Sequence, residues 1–247
     1  MNVTVLGTGA AHSTGDRYQT GILLESTDRT LLVDAGNGVF QRLAQIAHPA
    51  ETIDTVLLTH LHLDHVADIS SIVKARVLSE NPELTVIGPP GTRATITQLL
   101  AVDDLRERAD LNITEIEPGT HTIAGFDVRA VKADHSAYCL AYRFGDQFTF
   151  SGDTEASPDV ARLADGCEVL LHDCAYRDSH PSPSNHPTPT SLGRTLRKED
   201  VEIETVYLTH LYPDAADATE ELRSTVASYV DASVQVPSDT DVLVSSH

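Results

Sequence analysis

The chain has 247 residues, 40% of them hydrophobic, and its 37 acidic against 17 basic side chains give a formal net charge of −20. That length provides one large domain or two small ones with a full core, and the hydrophobic share excludes wholesale disorder. The acid excess argues against a protein that holds nucleic acid by neutralising phosphates, and the lack of any apolar run of about 20 residues excludes a spanning helix.

Within the charged set, Lys74, Lys132 and Lys198 are the three lysines beside 14 arginines, and 23 aspartates outnumber 14 glutamates. An Asp-rich, Lys-poor surface resembles that of halophilic proteins. At about 1 M salt the screening length is about 3 Å, so carboxylate self-repulsion is largely quenched. Cys139, Cys167 and Cys174 form neither a CxxC pair nor an even-numbered framework, which reads as reduced thiols in a cytoplasm. Residues 1–7 lack a basic segment leading into an apolar one, so no secretory signal is read.

In chain order, residues 3–6, 21–25, 30–33 and 55–58 are short runs rich in Val, Ile, Leu and Thr, and they predict strands. Residues 67–78 place Ile69, Ile72, Val73 and Val77 at helical spacing. A strand follows at 84–87, then a helix at 92–100 with Ile96, Leu99 and Leu100 on one side. Strands are predicted at 113–115, 126–131, 140–144 and 147–150, a helix at 158–164 and a strand at 169–172. Residues 179–190 carry Pro181, Pro183, Pro187 and Pro189 and cannot be regular structure; they read as a loop over an active site. A helix at 190–197, a strand at 205–208 and a helix at 218–230 complete the series. Such a succession predicts mixed sheets covered by helices, in a single domain over 1–247. Val56-Leu57-Leu58-Thr59-His60-Leu61 is echoed by Val206-Tyr207-Leu208-Thr209-His210-Leu211, which hints at an internally duplicated pair of sheets.

The strongest chemical signal is Thr59-His60-Leu61-His62-Leu63-Asp64-His65, directly after a predicted strand. Three imidazoles and a carboxylate so close together are costly to hold unless a cation binds them, and His with Asp suits zinc. Alternation lets His60 and His62 point one way while Asp64 and His65 turn elsewhere, so one segment can serve two adjacent ions. Three further pieces follow predicted strands: Asp134-His135-Ser136, Gly152-Asp153-Thr154 and Thr209-His210-Leu211.

His60-x-His62-x-Asp64-His65, followed in order by His135, Asp153 and His210, resembles the HxHxDH pattern of the metallo-β-lactamase superfamily, across residues 3–211. The resemblance implies a four-layer αβ/βα sandwich, two mixed β-sheets flanked by helices, with metals at the sheet edges. It implies two Zn²⁺ per chain, with Mn²⁺ as the other ion of suitable chemistry. His60, His62 and His135 would hold the first, Asp64, His65 and His210 the second, and Asp153 would bridge them. A hydroxide held between the ions would then attack the substrate, with Asp64 orienting or deprotonating it. The fourth motif position, His65, sets the chain apart from the usual β-lactam hydrolases.

Asp173, in Leu171-His172-Asp173-Cys174, and His186, in Asn185-His186-Pro187-Thr188, resemble the carboxylate and histidine of the ribonuclease Z (tRNA 3′-processing endonuclease) branch. That branch carries Glu and a His-Ser-Thr-like motif, so Asp173 and Pro187 are departures. Leu6-Gly7-Thr8-Gly9-Ala10, His135-Ser136 and Tyr142-Arg143 also look like it. By this resemblance His186, paired with Asp173, protonates or stabilises the leaving oxygen of a phosphodiester. The branch's basic, Gly-rich arm has no counterpart between Asp153 and His210, where Arg194, Arg197 and Lys198 fall on a predicted helix. RNA 3′ ends and small or cyclic phosphodiesters therefore stand ahead of full tRNA recognition. A thioester or lactone hydrolase of the same fold is the alternative, and a non-catalytic binding protein ranks below both. Homodimers are common in the family.

Gly7-Thr8-Gly9-Ala10-Ala11-His12 lacks the third glycine of a dinucleotide fingerprint and reads as a turn bringing His12 near the site. In the family, an Asp at the position of Asp34, within Asp34-Ala35-Gly36-Asn37-Gly38, supports the metal centre from behind. His48, His121, His180 and His247 read as surface residues, and Tyr and Phe as too few and too scattered for a base-stacking platform.

Overall fold

The computed structural model describes residues 1–245; His247 lies outside them. Two seven-stranded sheets face each other. The first holds β1 (Asn2–Gly7), β2 (Gly21–Ser26), β3 (Arg29–Val33), β4 (Thr55–Leu57), β5 (Glu83–Gly88) and β6 (Asp110–Glu115), with the last strand of the chain, β14 (Val242–Val244), on the outside of β1. The second runs from β7 (Gly119–Ile123) through β8 (Phe126–Lys132), β9 (Leu140–Phe144), β10 (Phe148–Phe150), β11 (Cys167–Asp173) and β12 (Ile203–Thr209) to β13 (Ser233–Gln235). Each sheet begins as an antiparallel meander and ends in parallel strands: β3 to β6 in the first, β10 to β13 in the second. The echo around His60 and His210 thus falls on one parallel strand of each sheet.

Alternation along the strands divides the side chains between two faces. Val3, Val5, Ile22, Leu24, Leu31 and Val33 point inward and meet Val128, Tyr142, Phe144, Phe148, Phe150 and Leu171 from the other sheet. The intervening Leu23, Leu32 and Val56 face outward, under α1 (Val39–Gln45), α3 (Ile69–Leu78) and α4 (Thr92–Leu99), whose Leu43, Ile69, Ile72 and Ile96 cover them. On the far side, α6 (Pro158–Ala164), α7 (Pro189–Glu199) and α9 (Thr219–Ala227) cover the second sheet, with Leu192, Leu196, Leu222 and Val226 against Leu170, Val206 and Leu208. Short turns α2 (Leu63–Val66), α5 (Leu105–Arg108) and α8 (Pro213–Ala216) complete the α-helices of the described residues. The result is the four-layer sandwich expected from the motif.

Several boundaries differ from the sequence reading for identifiable reasons. The helix predicted over 67–78 begins at Ile69, because Asp68 closes one helical turn and opens the next while its side chain accepts the N–H groups of Gly38 and Phe40. That distant carboxylate caps α1, which has no cap of its own and was not foreseen. Strand β7 is polar, and β13 and β14 are three residues each, so pairing with β8, β12 and β1 makes them strands, not their composition. The loop expected at 179–190 stops at Thr188, whose hydroxyl caps α7.

Candidate metal centre

The C-terminal ends of β3, β4, β8, β10, β11 and β12 converge on one edge of the sandwich, and each delivers a polar side chain there. Parallel strands leave their C-terminal ends together, which is why sites gather at such edges. The loop after β4 delivers His60, His62, Asp64 and His65; the ends of β8, β10 and β12 deliver His135, Asp153 and His210.

These seven residues form two groups sharing Asp153. His60, His62, His135 and Asp153 each offer a ligand atom within 4.8 Å of the others, and so do Asp64, His65, Asp153 and His210. All are buried except His62, which is exposed, and His135, which is half-buried, so the centre opens on that side. Nε2 of His65 and of His210 each lie 3.2 Å from an Asp153 oxygen, and Nε2 of His60 lies 3.5 Å away.

The surrounding bonds fix which nitrogen faces inward. Asp34, fully buried at the end of β3, accepts from His65 Nδ1 at 2.7 Å and from both the N–H and the hydroxyl of Thr59 at 2.8 and 2.7 Å. A carboxylate only accepts, so the His65 proton sits on Nδ1 and Nε2 turns to the centre. Thr59 Oγ1 lies 3.1 Å from His60 Nδ1, and Thr20 Oγ1 lies 3.1 Å from His210 Nδ1. Asp34 and His210 adopt left-handed backbone angles, with φ of 57° and 60°, to aim their side chains. At Gly36 the 34–38 turn passes so close to the Asp64 carbonyl that a Cβ would lie 2.1 Å from it.

Nε2 of His60 and of His65 are buried without a hydrogen-bond partner, although buried polar atoms are almost always paired. Burial and the neighbouring His65 hold His60 well below its ordinary pKa; burial, together with His186, brings His135 down to about 4. Both are therefore neutral, the form that ligates. Burial opposes ionisation of Asp153, but His210, His65 and His60 hold it well below the carboxylate range. Burial likewise opposes charge on His65, yet Asp153 and Asp34 raise it. Converging imidazole nitrogens and an ionised carboxylate, with orphaned nitrogens among them, are a donor set that fits divalent metal.

Beside this centre, Asp173 at the end of β11 accepts from His186 Nδ1 at 2.7 Å, from Thr154 N at 3.1 Å and from Ala175 N at 3.0 Å. The His186 ring lies 5.1 Å from that of His210, nearly parallel to it, and 5.4 Å from that of His135. Burial disfavours its charge, but Asp173 outweighs burial and holds His186 up at about 9. His12 is exposed, with its ring 5.3 Å from that of Tyr212, at the rim of the site. His48 and His121 lie apart, by Glu25 and the Glu117 carbonyl.

One expectation is corrected. Tyr176, Tyr212 and His180, read from the sequence as scattered or unpartnered, come together here: Tyr176 stacks on His180 at 4.1 Å and on Tyr212 at 5.3 Å. No spacing pattern announces this, because Tyr176 and His180 lie on the loop after β11 and Tyr212 on the loop after β12. Thr20 and Thr59, which orient histidines, also carried no signal.

Residues 29–211 match the beta-lactamase superfamily domain. Ribonuclease Z of Mycolicibacterium gilvum is 31% identical over 72% of this chain and 70% of its own. Among solved structures, the metallo-beta-lactamase fold protein YhfI from Bacillus subtilis superposes with a TM-score of 0.82 at 23% identity, covering 98% of each chain. Human tRNase Z, short form, superposes with a TM-score of 0.77 at 20% identity over 99% of each. The chain belongs to the metallo-β-lactamase superfamily. Within that superfamily, the ribonucleases Z of Mycolicibacterium gilvum and Mycobacterium avium are among its relatives, at 31% and 32% identity. No helix among the described residues is long and apolar enough to cross a membrane.

Proposed function

We propose that this hydrolase cleaves phosphodiesters, RNA 3′ ends or small and cyclic diesters, with two zinc ions or manganese in their place. His60, His62 and His135 would hold one ion and Asp64, His65 and His210 the other, with Asp153 common to both groups. When bound, two such ions lower the pKa of water and polarise phosphoryl oxygens. The chain's own groups do the rest. Asp64 would orient the attacking water and take the proton that it loses as its oxygen bonds to phosphorus. As the new P–O bond forms and the ester P–O bond breaks, His186 gives a proton from Nε2 to the departing oxygen, while Asp173 holds the ring through Nδ1.

The His186–Asp173 pair carries this reading, because an alkoxide leaving group needs a proton and a thiolate does not. Residues 153–210 are taken up by α6, β11, the loop to Thr188, α7 and β12, which favours substrates smaller than tRNA. The free cysteines fit a reducing cytoplasm.

The test compares bis-p-nitrophenyl phosphate with a thioester at molar salt with added zinc or manganese. Preference for the diester is expected, and preference for the thioester would displace the proposal. His60→Ala should lose metal and turnover together; His186→Ala should keep its metal and lose about 10²- to 10⁴-fold in kcat on a dinucleotide diester, whose leaving group is an alkoxide. Equal metal loss in both variants would refute the division of roles.

A further inference from the structure

We infer that Tyr176 and Tyr212 form a stacking shelf for the base of a nucleotide ester bound at the metal centre. The inference rests on the phosphodiesterase reading and names the substrate class within it. The shelf is a continuous run of rings. His180 lies against Tyr176 at 4.1 Å and an interplanar angle of 17°, and Tyr176 lies against Tyr212 at 5.3 Å and 27°. Tyr212 then makes T-shaped contacts with His186 at 6.1 Å and His210 at 6.5 Å, so the run ends on residues of the candidate metal centre.

The chain spends few aromatics: seven Tyr, five Phe and no Trp. Phe126, Phe144, Phe148 and Phe150 and Tyr142 are core, and Tyr207 packs against the core. Tyr18, Tyr138 and Tyr229 are each covered by a cation, respectively Arg42, Lys132 and Arg197. Tyr176 and Tyr212 alone are half-buried beside the site with other rings as their neighbours. A planar base is the ligand that would extend such a run of stacked rings, since every base has a π-face and stacking is tolerant of sequence. With a net charge of −20, the surface offers little pull on a polyphosphate backbone, so base stacking is the contact left to give affinity beyond the metal centre.

The experiment titrates zinc-loaded enzyme calorimetrically with adenosine 5′-monophosphate and with ribose 5-phosphate, which carry the same phosphate. The base should tighten binding about 5- to 150-fold. Tyr212→Leu and Tyr176→Leu should bring that ratio toward one. Tyr212→Phe keeps the ring and should keep the ratio, which separates stacking from a general loss of folding. A ratio near one in the unaltered enzyme, or a ratio untouched by both leucine variants, would overturn the shelf. A base preference in an enzyme that hydrolyses thioesters but no phosphodiester would support the shelf and sink the proposed reaction instead.

Discussion

Asp34 shows how much a single side chain behind the centre governs what lies in front of it. Three donors, the Thr59 N–H, the Thr59 hydroxyl and His65 Nδ1, converge on its two oxygens. Asparagine keeps the size but has one acceptor oxygen, and its amide group would confront a donor. A mismatched buried donor costs about 1–3 kcal/mol, and here the donors belong to residues that shape the centre. Asp34→Asn should therefore fold with the overall architecture intact but bind zinc about 10- to 100-fold more weakly. Competition against a chelator measures this directly. Unchanged affinity would mean that His65 is oriented by its burial alone.

Arg143 belongs to the element scale, because it ties two elements together. It sits on β9, nearly buried, and donates to the carbonyls of Gly145 at 2.8 Å and Leu163 at 2.9 Å, to that of Asp165, and to the Asp146 carboxylate at 2.9 Å. The Leu163 and Asp165 carbonyls are the unpaired C-terminal end of α6, where a cation is also favoured by the helix dipole. Arg143→Met would strip several acceptors at once and should destabilise the fold by about 2–4 kcal/mol, read as a fall in the denaturation midpoint. Arg143→Lys should recover only part of this, since one ammonium cannot span the separated carbonyls. Full recovery by Lys would show that charge alone matters. Arg143 also shows what local sequence conveys and what it does not. Val3, Leu31 and Val56 announce strands because they fall in short runs rich in Val, Ile, Leu and Thr, and His60 to His65 announce a site because they are contiguous. Helix α1 stayed hidden because its cap, Asp68, is 30 residues from Gly38. Tyr176 and Tyr212 stayed hidden because stacking depends on where two loops end, which no local pattern encodes.

At the scale of the whole molecule the charge of −20 sets the response to salt. Surface pairs such as Arg177–Glu221, Arg106–Glu107 and Arg223–Glu220 use up cations but, being exposed, contribute little, so screening them loses little. Repulsion among the surplus carboxylates outweighs these pairs, and part of the surplus is concentrated. At the N-terminal ends of β11 and β12, opposite the metal centre, a groove of about 960 Å³ is lined by Asp146, Glu168, Asp200, Glu202, Glu204 and Asp231, with Arg197 as the basic residue among its lining. At about 0.1 M salt the screening length of about 10 Å lets these groups repel across the groove; at about 1 M it falls to about 3 Å and they no longer do. The midpoint of thermal unfolding should therefore rise steadily between those concentrations of potassium chloride. Glu202→Gln with Glu204→Gln should raise the low-salt midpoint and flatten the rise, while leaving the high-salt midpoint nearly where it was. A double variant that melts in parallel with the parent at every salt concentration would show that the repulsion is spread over the whole surface and not focused in the groove.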